Sequence, residues 1–175
     1  EFKPSRNSFS VMSYNVRGFR NDNSLRSVDK YVEYFSEHDI ADVVCFQEYA
    51  LDMPCVERVD SLFRARHSKL YHRDVVETGD VVLRTYSRYP IIASGAISGE
   101  GRGTSQWVDV VIKNDTLRIF NNHLYTMNIS SEDSSDIEHG RILQDGDRMR
   151  SIVNRIADNS SIRASHVDTL RYIID

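Results

Sequence analysis

The stretch Asp42-Val43-Val44-Cys45-Phe46-Gln47-Glu48-Tyr49, DVVCFQEY, decides how this chain reads. Val43 to Phe46 is a short, continuous apolar run bounded by polar residues, which reads as a buried strand. The run ends on Gln47 and Glu48, an amide and a carboxylate side by side. A carboxylate at the carboxyl end of a core strand has two readings. It is a loop residue that happens to be acidic, or it belongs to a metal or proton-transfer site built at the strand mouth.

Outward from this strand the pattern is that of an α/β chain. Upstream, FSVMSYNVR (9–17) reads as a strand that gains polarity toward its end. Asn21 to Ser24 offer capping side chains, and Leu25, Val28, Tyr31, Val32 and Phe35 follow at helical spacing. Strand, helix, strand implies parallel neighbours. Downstream, Pro54 opens a helix through Val59 and Phe63. From Lys69 the period changes to short β-rich runs, with Gly79-Asp80, Tyr89-Pro90, GEGRG (99–103) and Asn114-Asp115 between them. That is the pattern of an antiparallel meander. Residues 126–145 are polar and acidic, and the whole of 126–162 is expected to be a long loop or insertion. Met149, Ile152, Val153 and Ile156 mark one amphipathic helix, and Val167, Leu170, Ile173 and Ile174 another. With no internal repeat and no linker, 1–175 reads as one domain.

The bulk properties narrow the function. The chain has 175 residues, 40% hydrophobic and 27% charged, which suits one globular domain. Its net charge of −4 argues against a strong non-specific nucleic-acid binder, which needs a basic face. It leaves room for an enzyme that touches one phosphate locally. No apolar run approaches the ~20 residues that span a bilayer. The chain begins at Glu1 without methionine, so the amino terminus is expected to be cut or processed, with any signal or membrane anchor upstream. Cys45 reads as a buried thiol, and the two cysteines fit no metal-binding spacing.

Three strands end in polar residues: Asn15 after one apolar run, Glu48 after another, and Asn121, Asn122 and His123 near the end of a third. Ligand sites in α/β sheets gather beyond the carboxyl ends of strands. An oxygen-donor pair such as Asn15 and Glu48 suits a hard cation like Mg²⁺, and His123 is placed to donate to a phosphate oxygen. Each has a plain alternative: a turn-forming asparagine, a loop glutamate, a hydrogen-bonded core histidine.

SYNVRGF, DVVCFQE, SRYPI and NNHL, in that order, resemble the endonuclease/exonuclease/phosphatase (DNase I-like) family over the chain up to about Tyr125, with a weaker match at RASHVDTLRYI. The resemblance implies an α/β fold, a DNase I-like β-sandwich flanked by helices. It implies hydrolysis of a phosphoester by water that Mg²⁺ or Mn²⁺ activates. By position, Glu48 and Asn15 match the metal site, and Asn15 and His123 the catalytic site. Arg17, His123 and Arg163 are candidate contacts to substrate phosphate. Arg17 departs from members with an acidic residue there, and His166 stands where glutamine is frequent.

The family's later GDxN and SDH motifs are absent from these 175 residues: Gly146-Asp147 is followed by Arg148-Met149, and SSDIEH (134–139) has the wrong spacing. The expectation is therefore an incomplete sandwich, the amino-terminal portion of a phosphodiesterase, phosphatase or nuclease, inactive alone. Its substrate is a small phosphoester, a lipid head group or a nucleic acid. The alternative is an inactive half-domain that binds a partner or self-associates through an exposed sheet face.

Overall fold

A computed structural model describes residues 8–19, 26–37, 40–49, 53–66, 72–78, 81–98 and 103–174. The caps expected at 21–24, the Gly79-Asp80 turn and most of GEGRG lie outside the described residues. The elements are β1 (Val11–Asn15), α1 (Arg26–Glu37), β2 (Val43–Gln47), α2 (Met53–Arg66), β3 (His72–Thr78), β4 (Val81–Ser87), β5 (Ile91–Ser98), β6 (Thr104–Ile112), β7 (Asp115–His123), α3 (Ser131–Glu138) and α4 (Gly146–Ile174). Short 3-10 turns occupy Arg17–Phe19 and Arg141–Gln144. The chain divides into two compact units: Glu1–Ile97 with Thr104–His123, and Ser98–Gly103 with Leu124–Asp175.

The first unit holds two sheets, ordered β1-β2-β4-β3 and β5-β6-β7. β1 and β2 are parallel, as the helix-length crossover through α1 requires. β4 is antiparallel to both β2 and β3. β6 and β7 form an antiparallel hairpin that pairs Thr104 with His123. The sequence reading of one continuous meander needs correction. The run breaks at SRYP, where the chain leaves the first sheet for the second. Arg88 fixes that corner by donating to the Ile40 carbonyl and pairing with Asp42 at 3.1 Å.

All five residues of β2 are buried, and their parity shows why. Val44 and Phe46 join the aromatic core formed with Phe19, Phe35, Tyr49, Val59, Phe63 and Tyr86 under α1 and α2. Val43, Cys45 and Gln47 alternate to the opposite face of the strand. A strand covered on both faces reads as an unbroken apolar run, so only its last inward position, Gln47, breaks the pattern. Burial pushes the Cys45 thiol up to about 11, so it is an inert packing residue.

The second unit is helical, and here 126–162 is not a long loop. The polar run at 131–138 forms α3 because Ser130 and Asp133 make a reciprocal capping box. The two expected helices are one continuous helix, α4, which begins at Gly146 inside the expected loop. Its charged face is tied to α3 by Arg155–Asp133 at 2.8 Å and Arg148–Asp136 at 2.6 Å. Asn159 and Arg163 hold the extended stretch before α3 by donating to the carbonyls of Met127 and Tyr125, both at 2.9 Å. Among the described residues, no helix is long and apolar enough to cross a membrane.

Candidate functional site

Parallel pairing of β1 with β2 puts Asn15 opposite Gln47, so the two strands end level and open at the same mouth. Beyond the strand ends the pairing continues through Val16 N–H to the Gln47 carbonyl at 3.0 Å and Gly18 N–H to the Glu48 carbonyl at 2.6 Å. Three of the five non-glycine residues with left-handed backbone among the described residues sit at the mouth: Arg17 (φ 49°), Phe19 (φ 55°) and Glu48 (φ 49°). Such residues cost about 1–3 kcal/mol each and persist where the surroundings over-determine them, typically at functional sites. Tyr49 supplies part of that constraint: its N–H donates to the Val82 carbonyl and its ring is buried in the core.

Three of the residues singled out from sequence meet here. Asn15 Nδ2 donates to Glu48 Oε1 at 2.8 Å, and His123 Nε2 lies 3.1 Å from the same oxygen. An ionised carboxylate only accepts, so Nε2 carries the proton in this contact. The other ring nitrogen, Nδ1, is buried with no hydrogen-bond partner among the described residues. The Asn15 amide oxygen accepts from the Arg17 N–H at 2.9 Å. Asn15 therefore presents its NH₂ to Glu48 and orients the carboxylate. Burial would push the Glu48 carboxyl up. The hydrogen bonds from Asn15 and His123, with the charges of His123 and Arg17, outweigh it and hold the carboxyl below its ordinary value.

The Glu48 side chain is 42% exposed and that of His123 17%, so the pair faces the mouth without being sealed from it. Arg17 is exposed beside it. Arg163 belongs to the second unit, where it donates to the Tyr125 carbonyl. His166 is fully buried in α4. Among the described residues, no three His, Cys, Asp or Glu side chains cluster tightly enough to hold a metal by themselves. A single carboxylate fits a cation of the Mg²⁺ kind, which keeps several waters and takes one or two protein carboxylates together with substrate phosphate; with its NH₂ turned to Glu48, Asn15 orients that carboxylate rather than offering an oxygen.

Two features of this unit escaped sequence reading. One is a pair of buried amides, Gln47 and Asn121, joined at 2.6 Å. The other is an ion pair beneath the core, Arg84 to Asp60 at 2.6 Å, with the Tyr86 hydroxyl donating to the same carboxylate and accepting from the Tyr49 hydroxyl. The guanidinium lies over the Tyr49 and Tyr86 rings. Arg84 alone in VVLRTYS is the visible signal, a cation inside an otherwise apolar strand.

No family model matches the chain, and no curated protein matches it significantly. Solved structures do. A truncated TDP2 from Caenorhabditis elegans superposes with a TM-score of 0.53 at 19% identity, covering 84% of this chain and 57% of that one. A humanised D. rerio TDP2 gives 0.52 at 17% identity, covering 76% of this chain and 56% of that one. A longer C. elegans TDP2 gives 0.52 at 19% identity, covering 84% and 44%. The chain thus spans between 44% and 57% of the length of these three structures. Over that span it has the DNase I-like α/β fold that these TDP2 structures share.

Proposed function

We propose that this chain carries the glutamate–histidine portion of a divalent-metal-dependent phosphoester hydrolase, whose activity belongs to the complete protein. The observation that supports this reading is the convergence of Asn15 and His123 on one oxygen of Glu48, at the carboxyl ends of strands in a DNase I-like fold. Glu48 would hold Mg²⁺ or Mn²⁺ through its second oxygen. The bound cation supplies charge neutralisation and an activated water. Asn15 keeps the carboxylate oriented. The His123 Nε2–H donates to Glu48 here, and a phosphoryl oxygen entering the mouth competes for that proton. Arg17 adds a positive charge at the rim, which favours a phosphate. The net charge of −4 favours a substrate bound through one or two phosphates over a long nucleic-acid tract.

The test is hydrolysis of a phosphodiester and phosphomonoester panel by the complete protein, with Mn²⁺ and with chelator. Metal-dependent turnover that Glu48→Gln and His123→Ala each reduce by about a hundredfold or more supports the reading. Turnover indifferent to metal and to both substitutions sinks it. One observation favours a second reading, a binding or self-associating module. β1 is an edge strand among the described residues, with Val11 and Tyr14 half exposed. Concentration-dependent light scattering that Tyr14→Lys abolishes would support that reading.

A further inference from the structure

We propose that Gln47 and Asn121 form an amide clamp between the two sheets and are the positioning residues that set Glu48 against His123. The need for a clamp follows from topology. Glu48 follows β2 in one sheet and His123 ends β7 in the other, and β2 and β7 are not ladder neighbours. No backbone ladder therefore fixes the distance between the two side chains. Side chains crossing the sandwich must fix it, and an apolar contact is not directional enough to do so.

The clamp is directional. Gln47 Nε2 donates to Asn121 Oδ1 at 2.6 Å and to Ser13 Oγ at 3.0 Å, with a longer contact of 3.3 Å to the Cys45 carbonyl. Asn121 Nδ2 donates to the Phe46 carbonyl at 3.0 Å, with longer contacts of 3.4 Å to the Arg84 carbonyl, Thr85 Oγ1 and Gln106 Oε1. Both side chains are nearly inaccessible, Gln47 at 6% and Asn121 at 2%. Buried amides are costly unless satisfied, and apolar residues of the same size would fill the sandwich as well. What the amides add is registration. Gln47 is the residue before Glu48. Asn121 is two before His123 and shares its face of β7, about 7 Å along the strand. Tying Gln47 to Asn121 ties the two working side chains to each other.

This inference rests on reading Glu48 and His123 as the working pair, but its test needs no activity. The readout is the ¹⁵Nε2 resonance of His123 in the chain, at a pH where imidazoles are neutral. Glu48→Gln displaces that resonance, because it changes the acceptor. In a Gln47→Asn background, one methylene too short to reach, the displacement is expected to shrink, because residues in one hydrogen-bond network do not respond independently. Exchanging the lengths in Gln47→Asn/Asn121→Gln is expected to restore it. If Gln47→Asn does not fold, Asn121→Leu, similar in size but unable to accept from Gln47 Nε2, serves in its place. Thermal melts confirm that each variant compared is folded. An undiminished displacement in the folded clamp variant overturns the proposal, as does an exchange that restores stability without restoring the displacement. A protein that hydrolyses no phosphoester would defeat the functional reading while leaving this coupling measurable.

Discussion

Glu48 is one residue past a buried strand, with a left-handed backbone and two donors on one oxygen. Its carboxyl is held below the ordinary value, so its ionised form is present above that value and is lost as pH falls through the lowered one. Asn15→Ala removes one donor, and the loss of ionisation should then occur at higher pH. The Glu48 ¹³Cδ resonance followed from about pH 2 to about pH 7, which brackets the usual carboxylate value of about 4, reports it. An unmoved midpoint would mean that Asn15 does not act on Glu48. A second residue-scale test concerns Asp60, whose partner Arg84 is buried with it. Asp60→Ala strands a buried cation and should cost about 3–5 kcal/mol in chemical denaturation, whereas Asp60→Leu/Arg84→Met together should cost far less. Glu48, Asn15 and His123 were legible in the sequence because polar residues closing apolar strands are conspicuous. The bond between Gln47 and Asn121 was not, because local pattern does not show an amide its partner across the sandwich.

At the scale of elements, the strands followed from pattern more faithfully than the helices. β2 was legible because both its faces are covered, and β6–β7 because Asn114-Asp115 marks their turn. α3 was not, since SEDSSDIE has no apolar period and its helix starts from the Ser130–Asp133 capping box. The continuity of α4 through Asn159-Ser160-Ser161 was also hidden. Residues that disfavour helix interiors are tolerated there in part because Asn159 bonds outward to Met127. The same helix makes a sharp packing prediction. Gly103 sits against the fully buried His166 ring, and an added Cβ would run into Nδ1. Gly103→Ala should therefore destabilise the second unit by about 1–3 kcal/mol, and His166→Ala in the same chain should relieve part of that loss. Equal melting of Gly103→Ala and wild type would show that the contact is not tight.

At the scale of the whole molecule, the first sheet was legible in its parallel half and the two-sheet architecture only through the family resemblance. Periodicity cannot tell one meander from strands shared between two sheets, because both alternate in the same way. The corner that separates them, Arg88 bound to Asp42 and the Ile40 carbonyl, is a long-range contact invisible to local pattern. The chain spans 57% of the truncated C. elegans TDP2 it matches, and the account assigns the remaining catalytic groups to the complete protein. Its central claim is that Glu48 holds a divalent cation. The most direct measurement is a calorimetric titration of Mn²⁺ into the complete protein and its Glu48→Gln variant, with the 175-residue chain alongside. The account predicts saturable binding in the wild type that the substitution weakens by about a hundredfold or more, beyond the roughly 10–100-fold that loss of an outer-shell partner costs. Saturable binding of equal strength in wild type and variant, or none in either form of the complete protein, would contradict it.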